Sequence, residues 1–226
     1  MKIFVLHGWA YDTKKWSFFL DLLKDQGFDV ELLKIPGLSQ KTKEPLTIDD
    51  YVNWLQDVLP KEPSFLLGHS NGGRIAMNFA LDYPERVSRL ILIDSAGVWH
   101  GGFTQVKRVV LRHLSSVIKH IPGIDLIKGK LYKLIRASDY HKAPDHMKIT
   151  LQNVINSDKH LEIHELAAPT AIIWGAEDRI TPLSDGVKLH SIIKGSTFEV
   201  IDHARHSPMF THPEQTLEAV LSSIKQ

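Results

Sequence analysis

The chain has 226 residues, of which 43% are hydrophobic and 23% charged, and its formal net charge is +1. This length and composition predict one folded domain with a substantial core and room for an insertion. The absence of cysteine excludes a disulfide framework and a thiolate zinc site. The near-zero net charge gives no reason to expect a nucleic acid partner.

The first apolar run is short. Residues 3–6 are apolar, and His7 and Gly8 follow them directly. A signal peptide needs a run of about seven or more apolar residues, and a membrane-spanning helix needs about 20. We therefore expect a soluble, cytoplasmic protein with no membrane partner.

Six apolar runs have the length and branching of buried parallel strands. They are residues 3–6, 30–35, 65–68, 90–93, 171–174 and 197–201. Helical periodicity separates most of them: around residues 16–23, 47–60 and 70–82, and again after Pro182 and after Pro213. Alternating strands and helices predict an α/β fold with a parallel sheet and helices on both faces.

Residues 97–168 interrupt this alternation with helical patterns alone, which predicts a helical insertion. The patterns are Val106, Val109, Val110, Leu114 and Val117; then Leu126, Ile127, Leu131, Leu134 and Ile135; then Met147, Leu151, Val154 and Ile155. The insertion holds 11 Lys or Arg against 6 Asp or Glu. This excess fits either a solvated helical surface or attraction of an anionic substrate.

Ser70 lies at the centre of Gly68-His69-Ser70-Asn71-Gly72, where a predicted strand meets a predicted helix. A serine in such a sharp turn is held in a strained backbone conformation and is exposed at the end of the strand. Small residues two positions to either side let the strand and the helix approach closely. The motif predicts a nucleophilic serine.

A serine hydroxyl needs a base, and the base works best when a carboxylate orients it. Asp178 follows the fifth apolar run and His206 follows the sixth, so both are expected at the same sheet edge as Ser70. Each has a rival. Asp94 ends the fourth run at that edge, and His203 lies three residues before His206.

Together these motifs resemble the α/β-hydrolase family, and the resemblance covers nearly the whole chain. The matching features are His7-Gly8-Trp9, Trp16, the turn from Gly68 to Gly73, the loop Gly175-Ala176-Glu177-Asp178 and the loop with His206. The resemblance implies that Ser70 is the nucleophile, His206 the general base and later acid, and Asp178 the group that orients His206. The backbone N–H groups of Trp9 and Asn71 would form the oxyanion hole, and His7 would brace the loop beside it.

The resemblance also implies a hydrolase core of residues 1–96 and 169–226, with residues 97–168 as a helical cap. Its apolar residues Trp99, Phe103, Val106 and Val110 are expected near the entrance. Residues 3–6 correspond to the third strand of the usual eight, so we expect a six-stranded, entirely parallel sheet. The loop at residues 35–39 lacks the usual aspartate and carries Leu38 in place of a histidine, so we expect a structural role for it.

These features favour a serine hydrolase that cleaves a small or medium carboxylic ester through an acyl-enzyme. The resemblance leaves open lactones, thioesters, amides and activated carbon–carbon bonds, transfer to an acceptor other than water, and a ligand-binding protein with little turnover. We expect a small-molecule substrate and no cofactor, because the glycines lack a phosphate-binding arrangement. The sequence contains no HExxH spacing, so its histidines do not predict a metal site.

Overall fold

The computed structural model of the protein describes residues 2–99 and 143–225. Within them, six strands form one central sheet: β1 (Lys2–Leu6), β2 (Asp29–Leu32), β3 (Ser64–His69), β4 (Val87–Ile93), β5 (Thr170–Gly175) and β6 (Thr197–Ile201). The strand order is β2-β1-β3-β4-β5-β6, and every neighbouring pair is parallel. This confirms the predicted six-stranded parallel sheet.

The described helices are α1 (Ser17–Asp25), α2 (Ile48–Val58), α3 (Asn71–Asp82), α4 (Asp145–Ser157), α5 (Leu183–Ile192), α6 (Pro208–Thr211) and α7 (Pro213–Lys225). All of them except the short α6, which was not predicted, occupy predicted intervals. Thr47 caps α2, because its side chain accepts the Asp50 N–H while the Asp50 carboxylate accepts the Thr47 N–H. None of the helices in residues 2–99 and 143–225 is long and apolar enough to span a bilayer.

Successive strand residues point to opposite faces of the sheet and enter two separate apolar cores. Phe4 of β1 packs in the core that contains residues of α2, α3 and α5. Its neighbours Ile3 and Val5 pack in the core that contains residues of α1 and α7. The four inner strands β1, β3, β4 and β5 are therefore covered on both faces, which explains why they are largely apolar and buried, whereas the edge strands β2 and β6 are partly exposed.

The second strand is shorter than the predicted run of residues 30–35. β2 ends at Leu32. The Ile35 N–H donates to Ser39 Oγ, and the Ile35 carbonyl accepts the N–H groups of Leu38 and Gln40. These bonds curl the chain away from β1, so the apolar residues after Leu32 fill a turn instead of extending the strand.

Helix α4 lies where the third helical pattern of the insertion was predicted. Met147 and Val154 are buried. The first two helical patterns lie outside the described residues, and so do Phe103, Val106 and Val110.

A buried ion pair joins α3 to the segment that follows α4. Arg74 of α3 donates from Nε to Asp158 Oδ1 at 2.7 Å and from Nη2 to Asp158 Oδ2 at 2.9 Å. The two side chains are only 7% and 6% exposed. A buried pair with this two-pronged geometry is costly to break, because either partner alone leaves a charge without compensation.

We expect Arg74→Met to lower the free energy of unfolding by about 3–5 kcal/mol, since it strands the Asp158 carboxylate in a buried environment. The double variant Arg74→Met/Asp158→Leu should lose much less, because it leaves no unpaired charge. Urea denaturation followed by circular dichroism measures both values.

Lys24→Met is the matched control, because Lys24 pairs with Asp21 on the surface, where the side chains are 50% and 65% exposed. It should change stability little. Equal losses in the single and double Arg74 variants would show that the pair contributes by packing and not by charge compensation.

Candidate active site

Ser70 occupies the tight turn between β3 and α3 in a backbone conformation that non-glycine residues rarely adopt. Its φ is 54° and its ψ is −120°. Glycines make the turn possible: a β-carbon on Gly68 would lie 2.5 Å from Gly73 Cα, and one on Gly72 would collide with the Leu6 carbonyl of β1. The predicted need for small residues at positions 68 and 72 is therefore a steric requirement of this turn.

His206 links Ser70 to Asp178. Its Nε2 lies 2.9 Å from Ser70 Oγ, and its Nδ1 lies 2.7 Å from Asp178 Oδ2. In a neutral imidazole whose Nδ1–H donates to Asp178, Nε2 is left as the acceptor for the serine hydroxyl proton. The three residues thus form a continuous hydrogen-bonded chain, although 136 positions separate Ser70 from His206.

The Asp178 carboxylate is held by its own loop. Its Oδ1 accepts the Ile180 N–H at 2.7 Å and the Thr181 N–H at 3.2 Å, and the Thr181 hydroxyl lies 2.8 Å from Oδ2. The Asp178 side chain is fully buried, whereas that of His206 is 11% exposed. Thr181 was not singled out from the sequence. Its position three residues after an aspartate in a turn is a signal that could have identified it.

Asp94, the rival acid, lies at the same sheet edge but makes a different contact. Its Oδ1 accepts the Gly175 N–H at 2.8 Å, and Oδ2 has no hydrogen-bond partner among the described residues. Burial raises the pKa of Asp94 to about 8, against the opposing effect of the Gly175 hydrogen bond and with a smaller contribution from the Asp178 charge. Asp94 is therefore largely protonated at neutral pH, and Asp178 is the carboxylate in contact with His206.

The other two histidines considered from the sequence contact other residues. His203 is exposed and faces Glu177 at 3.7 Å. His7 is buried, which lowers its pKa. Its Nδ1 lies 2.8 Å from the Gly8 carbonyl and its Nε2 lies 2.8 Å from Ser39 Oγ. His7 therefore joins the loop after β1 to the turn after β2, the bracing position expected for it.

His69, Asp94 and His206 are a group of possible metal ligands within the described residues, with ligand atoms within 4.8 Å of one another. The chemistry of this group does not suit a cation. Both ring nitrogens of His206 already contact Ser70 and Asp178, and Asp94 favours its protonated form. We assign no metal to it.

A cavity of about 430 Å³ opens beside Ser70. Trp9 and Asn71, the two residues expected to supply oxyanion donors, both line it. Asn71 is the first residue of α3, and the first N–H groups of a helix have no partner within the helix. Apolar side chains cover part of the wall, namely Val98, Trp99, Leu151, Ile155 and Ile180.

Arg74 and Asp158 also line this cavity and were not identified from the sequence. Arg74 donates from Nη1 to Asn71 Oδ1 at 2.6 Å. Arg74 and Asp158 are 84 positions apart, and no local sequence pattern connects them. The one signal in the sequence is that Arg74 lies three positions after Asn71, because residues three positions apart share a helix face.

A family model described as "alpha/beta hydrolase fold" matches residues 3–213. One curated relative is a 2-hydroxy-6-oxononadienedioate/2-hydroxy-6-oxononatrienedioate hydrolase from Comamonas testosteroni, with 26% identity across 94% of this chain and 83% of that protein. Another is the Homo sapiens monoacylglycerol lipase ABHD6, with 24% identity across 97% and 74%. Among solved structures, the enol-lactonase from Burkholderia xenovorans LB400 has a TM-score of 0.73 and 18% identity, and covers 100% of this chain and 91% of its own.

The chain therefore belongs to the α/β-hydrolase fold family. It is a hydrolase, as the curated relatives named above are. The fold and the enzyme class expected from the motifs are confirmed.

The raised pKa of Asp94 predicts a pH-dependent stability. In the folded state this carboxyl keeps its proton up to pH of about 8, whereas its ordinary value is 3.8. Ionisation therefore favours the unfolded state, and stability is lost as pH rises from about 4 to about 8. Asp94→Asn imitates the protonated acid, so its advantage over the parent protein should widen across this range.

Urea denaturation of both proteins at half-unit steps from pH 5 to pH 9 measures the difference. The contributions of titrating groups that do not interact with Asp94 cancel in the comparison. Parallel stability curves would mean that Asp94 has the same pKa in the folded and unfolded states.

Proposed function

We propose that the protein is a serine hydrolase that cleaves a small or medium carboxylic ester through an acyl-enzyme, with Ser70, His206 and Asp178 as its catalytic residues. The observation that carries the proposal is the pair of short contacts made by His206, 2.9 Å to Ser70 Oγ and 2.7 Å to Asp178 Oδ2. This arrangement provides a nucleophile, a base and a group that fixes the base's tautomer.

In the acylation step, Ser70 Oγ attacks the ester carbonyl while its proton passes to His206 Nε2. The carbonyl oxygen becomes an oxyanion, and the backbone N–H groups of Trp9 and Asn71 are the proposed donors to it. Each donor of this type contributes about 3 kcal/mol to the transition state, because it faces charge that develops only there. His206 then returns the proton to the leaving alcohol as the carbon–oxygen bond breaks.

In the second half of the reaction, His206 removes a proton from water and the resulting nucleophile attacks the acyl-enzyme. The bond to Ser70 breaks, Ser70 Oγ regains a proton from His206, and the carboxylic acid leaves. The Asp178 carboxylate stabilises the imidazolium that forms in each half. Its hydrogen bonds with Ile180, Thr181 and His206 support this role, because they hold the carboxylate in place against the imidazole.

The cavity supports the proposed substrate class. Its volume of about 430 Å³ and its partly apolar wall suit a compact acyl group. A second candidate is hydrolysis of a lactone or of an activated carbon–carbon bond, because relatives named as an enol-lactonase and as 2-hydroxy-6-oxo acid hydrolases share the fold. The same nucleophile and base would serve each of these reactions.

A fluorophosphonate probe and p-nitrophenyl butyrate test the proposal. We expect the parent protein to be labelled by the probe and to hydrolyse the ester, and Ser70→Ala to do neither. Asp178→Asn should lower kcat by about 10³–10⁴-fold, because it favours the wrong tautomer of His206.

Asp94→Asn is the matched control, since it makes the same chemical change on the neighbouring carboxyl, which contacts Gly175 and not His206. It should keep most of the activity. If Asp178→Asn kept full activity and Asp94→Asn lost it, the acid would be assigned to Asp94. A folded parent protein that neither labels nor turns over the ester would refute the proposed reaction.

A further inference from the structure

Two buried side-chain donors beside Ser70 lack an acceptor. Asn71 Nδ2 and Trp9 Nε1 are buried, and neither has a hydrogen-bond partner within the described parts of the chain. Both residues line the cavity that contains Ser70. A buried N–H group without an acceptor costs free energy, so such groups in a native protein call for an explanation.

The orientation of the Asn71 amide is set by its neighbours. Arg74 has only donors to offer, and its Nη1 lies 2.6 Å from Asn71 Oδ1. Asp158 holds the Arg74 guanidinium through two further hydrogen bonds. The amide oxygen must therefore face Arg74, and the NH₂ group is the part of Asn71 left without a partner.

The positive charge beside Asn71 is balanced. Arg74 is compensated by Asp158, so the site presents N–H groups without a net positive charge. Such a site suits a neutral oxygen acceptor better than a carboxylate, which would be desolvated without an opposite charge to compensate it. An ether, carbonyl or hydroxyl oxygen meets this requirement.

We propose that Asn71 Nδ2 and Trp9 Nε1 bind a second oxygen of the substrate, so that the enzyme prefers acyl groups with a neutral oxygen one or two carbons from the scissile carbonyl. Asn71 directly follows Ser70 in the chain, which keeps the bound oxygen close to the reacting carbon. This inference rests on the proposed ester hydrolysis at Ser70. It assigns a role in substrate choice to two side chains whose backbone N–H groups are proposed to serve the oxyanion.

A matched pair of esters tests it. p-Nitrophenyl methoxyacetate and p-nitrophenyl butyrate have acyl groups of the same length, and they differ by one ether oxygen in place of a methylene. The quantity to measure is the ratio of their kcat/KM values in the parent protein and in variants. The greater intrinsic reactivity of the methoxyacetate cancels when ratios are compared between proteins.

We expect Asn71→Met and Trp9→Phe each to lower the ratio about five- to tenfold, the size of one lost hydrogen bond. Asn71→Asp provides a second Asn71 variant, because it keeps an oxygen for Arg74 and removes the donor. It should lower the ratio at least as much. Ile180→Val, which changes the cavity wall without removing a donor, should leave the ratio unchanged.

Equal ratios in the parent protein and in all Asn71 and Trp9 variants would overturn the inference and leave the proposed hydrolysis intact. A parent protein that hydrolyses neither ester and is not labelled by the fluorophosphonate would overturn the proposed function and this inference with it. The two failures are therefore distinguishable.

Discussion

The strained backbone of Ser70 is the constraint on which the site depends. A serine with φ of 54° is tolerated there because its N–H and carbonyl are bonded on several sides, to the Ile93 carbonyl and to the N–H groups of Gly73 and Ala96. The glycines of the turn allow β1, β3 and α3 to meet at distances that no side chain permits. Backbone strain of this kind persists only where surrounding contacts hold the residue in its conformation. Here the buried central strands of the sheet provide those contacts.

The strand order places the other candidate site residues at the same edge of the sheet as Ser70. Ser70, Asp94, Asp178 and His206 follow β3, β4, β5 and β6, which are neighbours in sequence and in space. The two carboxyls then differ in environment. Asp178 is surrounded by donors, whereas Asp94 is buried with one oxygen unpartnered, and burial raises its pKa to about 8. Asp178 is the carboxyl in contact with His206, whereas burial favours the neutral form of Asp94.

Local sequence patterns were sufficient to predict the sheet and the ends of the strands at which the candidate residues lie. The apolar run at residues 3–6 and the helix beginning after Thr47 were predictable because propensity, capping and burial agree there. The end of β2 was not predictable, because the backbone N–H of Ile35 donates to the Ser39 hydroxyl and this contact overrides the apolar pattern. The Arg74–Asp158 pair and the unpaired donors of Asn71 and Trp9 depend on contacts between distant segments, which leave no periodic signal in the sequence.

The central claim is that Ser70 carries the acyl group during turnover. Rapid acid quenching of the protein mixed with p-nitrophenyl butyrate, followed by digestion and mass spectrometry, measures where the acyl group is attached. The account predicts a butyryl adduct on the peptide that contains Ser70, present in the parent protein and absent from Ser70→Ala. Turnover of the ester with no adduct on that peptide, or with an adduct on another residue, would contradict it.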